Sequence, residues 1–239
     1  MEKIITYQDL RKFAYSNDRI CKRPINGIVL AFVGLGDTTI YEEDTEAGIL
    51  FAEAGVLYLL PYYNPWAWMN RQTVAFVDEL VDLLFETFEL PEETPIVSTG
   101  GSMGGLSALV YTAKAKHKIS ACIANCPVCD LPGFYAEFSH VPRTLYSAFG
   151  NYDCSLQEAM ESASPVHLVD QMPDIPYYIF HCAEDDSVFP ENHSEIFVEK
   201  MRKNHRITYH VIPGRGHCDL PEEVLNQYYS YALQTIEKA

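Results

Sequence analysis

Gly100-Gly101-Ser102-Met103-Gly104-Gly105 follows the β-like run Thr94–Thr99 and precedes the helix-like run Leu106–Ala115. G-x-S-x-G carries chemistry only in such a context, because it needs a strand, a sharp turn and a helix in succession. The turn holds the serine in a strained backbone conformation with its hydroxyl projecting from the sheet. Glycines on both sides supply the small neighbours this requires, since a Cβ there would meet the strand or the helix behind it. Read alone, the stretch is equally a glycine-rich turn that caps a helix. A nucleophilic serine also needs a base and an acid from elsewhere in the chain.

Outward from this point the chain alternates. The first 26 residues are weakly patterned and read as a short strand or two with loops. Ile28–Val33 is an unbroken apolar run, as expected of a strand buried on both faces. A helix over about 43–54 ends at Gly55, and Val56–Leu60 is the next strand, stopped by Pro61. The aromatic stretch Tyr62–Met69 leads into an amphipathic helix over about 72–88, with Phe76, Val77, Leu80, Val81 and Leu84 on one face. Beyond Ser102 come a helix and the strand Ile119–Ala124. From about 127 to 173 the rhythm breaks into an aromatic-rich segment with no clear strand, read as a helical cap insertion. It then resumes with strand Tyr177–Cys182, a helix over about 191–204, strand Thr208–Ile212 and a last helix over about 221–237. Such alternation predicts one domain over 1–239: an α/β fold with a mostly parallel central sheet and helices on both faces.

In an open α/β sheet, ligands bind beyond the carboxyl ends of the strands. Ser102, the pair Asp185-Asp186 and His217 each follow such an end, in the order nucleophile, acid, base. A serine hydroxyl is a weak nucleophile and needs an imidazole to take its proton. The imidazole in turn needs a carboxylate to fix its tautomer and stabilise its charged form.

Four ordered motifs, Gly100–Gly105, Ser164-Pro165-Val166, His181–Val188 and Gly214-Arg215-Gly216-His217, resemble those of the α/β-hydrolase superfamily. The likeness is to the catalytic domain of the prolyl-oligopeptidase group and its small single-domain esterase relatives, over about residues 26–235. It implies Ser102 as nucleophile, Asp185 as acid, with Asp186 as the alternative, and His217 as base. It also implies an oxyanion hole made by the Met103 N–H and a donor from the loop after strand 28–33, assigned to Leu35. Two departures stand out. The usual His-Gly at that strand end is Val33-Gly34, which removes a side-chain hydrogen bond orienting the loop. The glycine that usually follows His181 is Cys182.

Among the remaining candidates, Trp66 and Tyr62 of the aromatic stretch either line a substrate pocket or staple the following helix to the cap. Cys126-Pro127-Val128-Cys129 lacks a second ligand pair and reads as core thiols, so neither a metal nor a cofactor is expected. Cys182 and Cys218 read as packing residues that lie near each other, and His181 as a structural histidine at a strand end.

With Lys+Arg at 17 against Asp+Glu at 33, the net charge of −16 argues against nucleic acid or an anionic membrane as partner. No apolar run is long enough to span a bilayer, and Met1–Thr6 lacks the basic start and apolar core of a secretion signal. Seven cysteines, an odd number, then point to reduced thiols in the cytoplasm. The sequence carries no signal for oligomeric state. The expected activity is hydrolysis of small carboxylic esters through an acyl-enzyme, with peptidase, thioesterase or acyltransferase as alternatives on the same fold. A non-catalytic binding protein is a further reading, opposed by the intact serine, acid and histidine. Peptides are expected to be poor substrates, because about 26 residues before the first strand are too few for the β-propeller of the peptidases that the chain resembles.

Overall fold

Gly27–Phe32 (β2) is buried at every position, which is why its sequence is apolar without alternation. The computed structural model describes residues 5–239; the first four residues of the weakly patterned N-terminal segment lie outside them. That segment holds a 3₁₀ turn (Tyr7–Asp9), a turn of α-helix, α1 (Leu10–Phe13), and a strand, β1 (Ala14–Ser16). After β2 follow α2 (Glu46–Glu53), β3 (Val56–Pro61), α3 (Arg71–Thr87), β4 (Ile96–Gly101), α4 (Met103–Lys114) and β5 (Ala121–Asn125). Next come three short helices, α5 (Leu131–Glu137), α6 (Val141–Phe149) and α7 (Leu156–Glu161). The chain ends with β6 (Tyr177–Cys182), α8 (Ser194–Met201), β7 (Ile207–Ile212) and α9 (Glu222–Glu237).

The seven strands lie in the order β1-β3-β2-β4-β5-β6-β7, and all neighbours are parallel except β1, which runs against β3. Successive side chains of a strand point to opposite faces, and here the two faces build separate cores. Ile28, Leu30 and Phe32 pack with Leu57, Leu59, and Val77, Leu80 and Leu84 of α3. Val29, Ala31, Tyr58 and Val97 pack on the other side with Phe51 of α2 and Tyr228, Ala232 and Ile236 of α9. β1 is too short to announce itself by pattern. The buried Asn17 after it pins the edge instead: its Nδ2 donates to the carbonyls of Gly48 and Val56, and its Oδ1 accepts from Tyr58 N–H.

Two boundaries matter for the site. β4 runs through Gly101, and α4 begins at Met103 rather than at Leu106, so Ser102 alone forms the turn. Such a tight junction is possible because Cβ atoms on Gly100 and Gly104 would collide with the carbonyl groups of Gly104 and Phe32. The helices between β5 and β6 include no strand among the described residues, as expected. They are tied to the aromatic stretch: Trp68 is fully buried and its Nε1 donates to Thr144 Oγ1 at 3.0 Å. Asn70 Nδ2 donates to Ala148 O, and Arg71 N–H donates to Tyr152 Oη. No helix among the described residues is long and apolar enough to cross a membrane.

Candidate active site

Ser102 sits between β4 and α4 with φ 59° and ψ −126°, a strained left-handed-side conformation for a non-glycine residue. Its N–H donates to the carbonyl of Asn125, the last residue of β5, at 2.9 Å. Asn125 Nδ2 in turn donates to Cys218 O at 3.3 Å. Cys218 Sγ lies where a Cβ on Gly101 would meet it, at 3.2 Å. The loop carrying His217 is thereby seated against the turn carrying Ser102, with Asn125 bridging the two. Sequence reasoning passed over Asn125, although its place at a strand's carboxyl end was a usable signal. Ser102 Oγ makes no hydrogen bond among the described residues.

Asp185 follows β6 and is buried. Its Oδ2 lies 2.7 Å from His217 Nδ1 and 3.3 Å from His181 Nε2, and its Oδ1 accepts from the N–H groups of Ser187 and Val188, both at 2.9 Å. Burial alone would raise the carboxyl pKa, but the hydrogen bonds from His181, His217 and the two amides hold it well below the usual carboxylate range. Asp186 is exposed, with only Ser187 Oγ donating to it at 3.3 Å. Burial likewise favours the neutral form of His217, yet the bond to Asp185, helped by Cys126, outweighs it and pushes the imidazole up to about 9. The structure thus brings Asp185 and His217 together and leaves Asp186 aside. His181 shares the Asp185 carboxylate while it also contacts Val188 O at 2.9 Å.

The loop after β2 holds Leu35. The Gly36 N–H donates to Pro65 O at 3.0 Å and Tyr63 Oη donates to Val33 O at 3.3 Å, so the aromatic stretch fixes this loop where a histidine would otherwise do so. The N–H groups of Met103, in the first turn of α4, and Leu35 make no hydrogen bond among the described residues. Both are therefore free to donate.

Two adjoining cavities share Val33 and Asp37, and only the larger borders the glycines before Ser102. One, of about 340 Å³, is lined among others by Phe32, Gly100, Gly101, Asn125, Cys218 and Tyr228. The other, of about 180 Å³, is lined by Ile40, Tyr62, Tyr63 and Pro65. Trp66 lines neither. It lies instead under the Arg143 guanidinium of α6, 5.5 Å from the ring centre. Beneath the turn, Tyr228 of α9 is buried, and its hydroxyl accepts from Gly100 N–H at 3.0 Å and donates to Ile123 O at 3.1 Å. No periodicity in α9 marks that contact, which joins residues far apart in the chain.

Sequence comparison with curated proteins finds no match. Among solved structures, the chain is similar to Pyrococcus horikoshii acylaminoacyl peptidase (TM-score 0.71, 12% identity), covering 91% of this chain and 38% of that one. It is also similar to Porphyromonas gingivalis dipeptidyl peptidase 4 (TM-score 0.67, 14% identity), covering 89% and 31%. A third likeness is to an S-formylglutathione hydrolase from Agrobacterium tumefaciens (TM-score 0.66, 17% identity), covering 88% and 83%. The chain spans about a third of the length of the two peptidases. At these identities the likenesses show the α/β-hydrolase fold. Residues 69–238, well over half of the chain, match the model of one family of proteins built on that fold; the chain belongs to the prolyl oligopeptidase family.

Proposed function

We propose that this protein is a serine hydrolase that cleaves small carboxylic esters, with Ser102 as nucleophile, His217 as base and Asp185 as the group that orients and charges the base. The observation that carries the reading is the backbone of Ser102, strained between a parallel strand and a helix, with the His217–Asp185 pair seated against the same turn. Ser102 Oγ attacks the ester carbonyl while its proton passes to His217 Nε2. The oxyanion that forms is held by the N–H groups of Met103 and Leu35. On collapse, the departing alkoxide takes the proton from His217 and leaves an acyl group on Ser102. A water molecule, deprotonated by His217, then releases the acid and restores the serine.

An alkoxide leaves more readily than an amine, so esters tolerate looser placement of the acid than amides do. The modest cavity that borders Gly100 and Gly101 suits a small acyl or alcohol group, and Tyr62 lines the one adjoining it. The three helices between β5 and β6 serve as the cap of a single domain, and the Trp68–Thr144 bond is one of its fastenings. All seven cysteines are free, which fits a reducing compartment such as the cytoplasm.

A fluorophosphonate probe followed by peptide mapping tests the mechanism. One adduct on Ser102, lost in Ser102→Ala together with nitrophenyl acetate hydrolysis, is expected. A folded Ser102→Ala protein that still turns over the ester at the wild-type rate would refute it.

A further inference from the structure

Cys126, directly after β5, and Cys218, directly after His217, are 92 residues apart in sequence yet meet in space: the Cys218 N–H donates to Cys126 Sγ at 3.4 Å. The two sulfurs and a ring nitrogen of His217 all lie within 4.8 Å of one another. Asp185 occupies His217 Nδ1, which leaves Nε2 open to a cation, and Nε2 is 3.7 Å from Cys218 Sγ. Tetrahedral zinc, with bonds of ~2.3 Å to sulfur and ~2.0 Å to nitrogen, sets neighbouring ligands about 3.5 Å apart. The Cys218–His217 edge already has nearly that length, and Cys126 Sγ, within 4.8 Å of Cys218 Sγ, needs to close by on the order of 1 Å.

We propose that Cys126, His217 and Cys218 form a binding site for a thiophilic divalent cation, Zn²⁺ foremost, whose occupancy switches the hydrolase off.

The surroundings of the three ligands match what such an ion requires. A zinc-bound histidine commonly gives its other ring nitrogen to a carboxylate, which fixes the ring and raises its basicity. Asp185 does this for His217. Cys126 Sγ accepts hydrogen bonds from two backbone amides, those of Cys182 and Cys218, both at 3.4 Å, which spread the charge of a metal-bound thiolate. Cys218 and His217 are only partly buried, so an ion has an approach and a fourth position remains for water. The net charge of −16 favours cations near the surface. The bland alternative is a set of buried thiols acting as small apolar side chains. It describes Cys129, whose Sγ donates to Pro127 O, and Cys122, which is fully buried in the core. It does not account for two sulfurs gathered beside the imidazole that the proposed mechanism uses as its base. The C-x-x-C spacing therefore misleads: Cys126 is set against Cys218, not against Cys129.

Binding would release the two thiol protons to solvent, together with the Nε2 proton wherever His217 is charged, and take up the Nε2 lone pair so freed. With that lone pair engaged, His217 has nothing to accept the Ser102 proton. The inhibition rests on His217 being the base, whereas the binding does not.

The test uses reduced full-length protein freed of metal. Co²⁺ should produce a thiolate-to-cobalt charge-transfer absorption and the visible bands of tetrahedral coordination, discharged by one equivalent of Zn²⁺. Nitrophenyl acetate hydrolysis should fall with Zn²⁺ and return with a chelator, and Cys218→Ala should raise the inhibitory Zn²⁺ concentration at least about 100-fold. Absence of the charge-transfer band in the wild-type protein, or equal Zn²⁺ sensitivity in Cys218→Ala, would overturn the proposal. The cobalt spectrum needs no turnover, so it stands or falls separately from the esterase reading.

Discussion

His217 Nδ1 meets Asp185 Oδ2 at 2.7 Å, while Asp186, the next residue, turns to solvent. Asp185→Asn replaces the oxygen that fixes the imidazole tautomer. It is expected to lower kcat by about 10⁴-fold. Asp186→Asn removes one exposed contact to Ser187 and should leave kcat within a few-fold. Rates for both variants on the same ester check the assignment, and a larger loss in Asp186→Asn would reverse it.

Ser102→Ala should abolish burst-phase acylation and leave only the ~10³–10⁴-fold advantage over water that binding and the oxyanion donors supply. Its circular dichroism and melting curve should match the wild type, because Ser102 Oγ holds no hydrogen bond among the described residues.

The His217 imidazole lies at about 9 instead of the ordinary 6.5, despite burial, because Asp185 favours its charged form and Cys126 adds to that; Cys218 and His181 are the other titratable groups nearby. A protonated imidazole has no lone pair for the serine proton, so the active form is the deprotonated one and grows as pH rises. With a chelator present, kcat/KM should climb through neutral pH and level off only in the alkaline range. A profile already flat at neutral pH would show that the shift does not exist in the free enzyme.

Tyr228→Phe removes the hydroxyl that accepts from Gly100 N–H and donates to Ile123 O, leaving buried backbone groups without that partner. A loss of about 1–3 kcal/mol is expected, read as a lower denaturation midpoint at unchanged m-value.

Short-acyl nitrophenyl esters should exceed dipeptidyl and prolyl anilides in kcat/KM by orders of magnitude. The likeness to peptidases and to an S-formylglutathione hydrolase puts anilides and thioesters in the same panel. An anilide preferred over every ester would make the peptidase reading the right one.

The sheet was legible because buried parallel strands are written as unbroken apolar runs: β6 falls where Tyr177–Cys182 predicts it, and β2 and β3 within a residue. The placement of Ser102, Asp185 and His217 at strand ends followed from the same periodicity. What stayed hidden depends on contacts rather than on pattern. β1 has three residues and is recognisable only through Asn17 and its partners on β3. The start of α4 was read three residues late because glycines are poor helix formers, and here close packing on Phe32 overrides propensity. Trp66 and Trp68 look alike in sequence, yet only Trp68 is buried, with Thr144 satisfying its N–H.

The hydroxyl of Tyr228 reaches Gly100 across 128 positions of chain. A contact of that span closes late, since the loop entropy must be met before the bond can repay it. During synthesis, a chain that has already exposed Ser102 still lacks the helix beneath it, the histidine loop and Asp185. Under the proposed mechanism the growing polypeptide cannot hydrolyse an ester before residue 217 has emerged, and the turn that carries Ser102 gains its support from α9 later still.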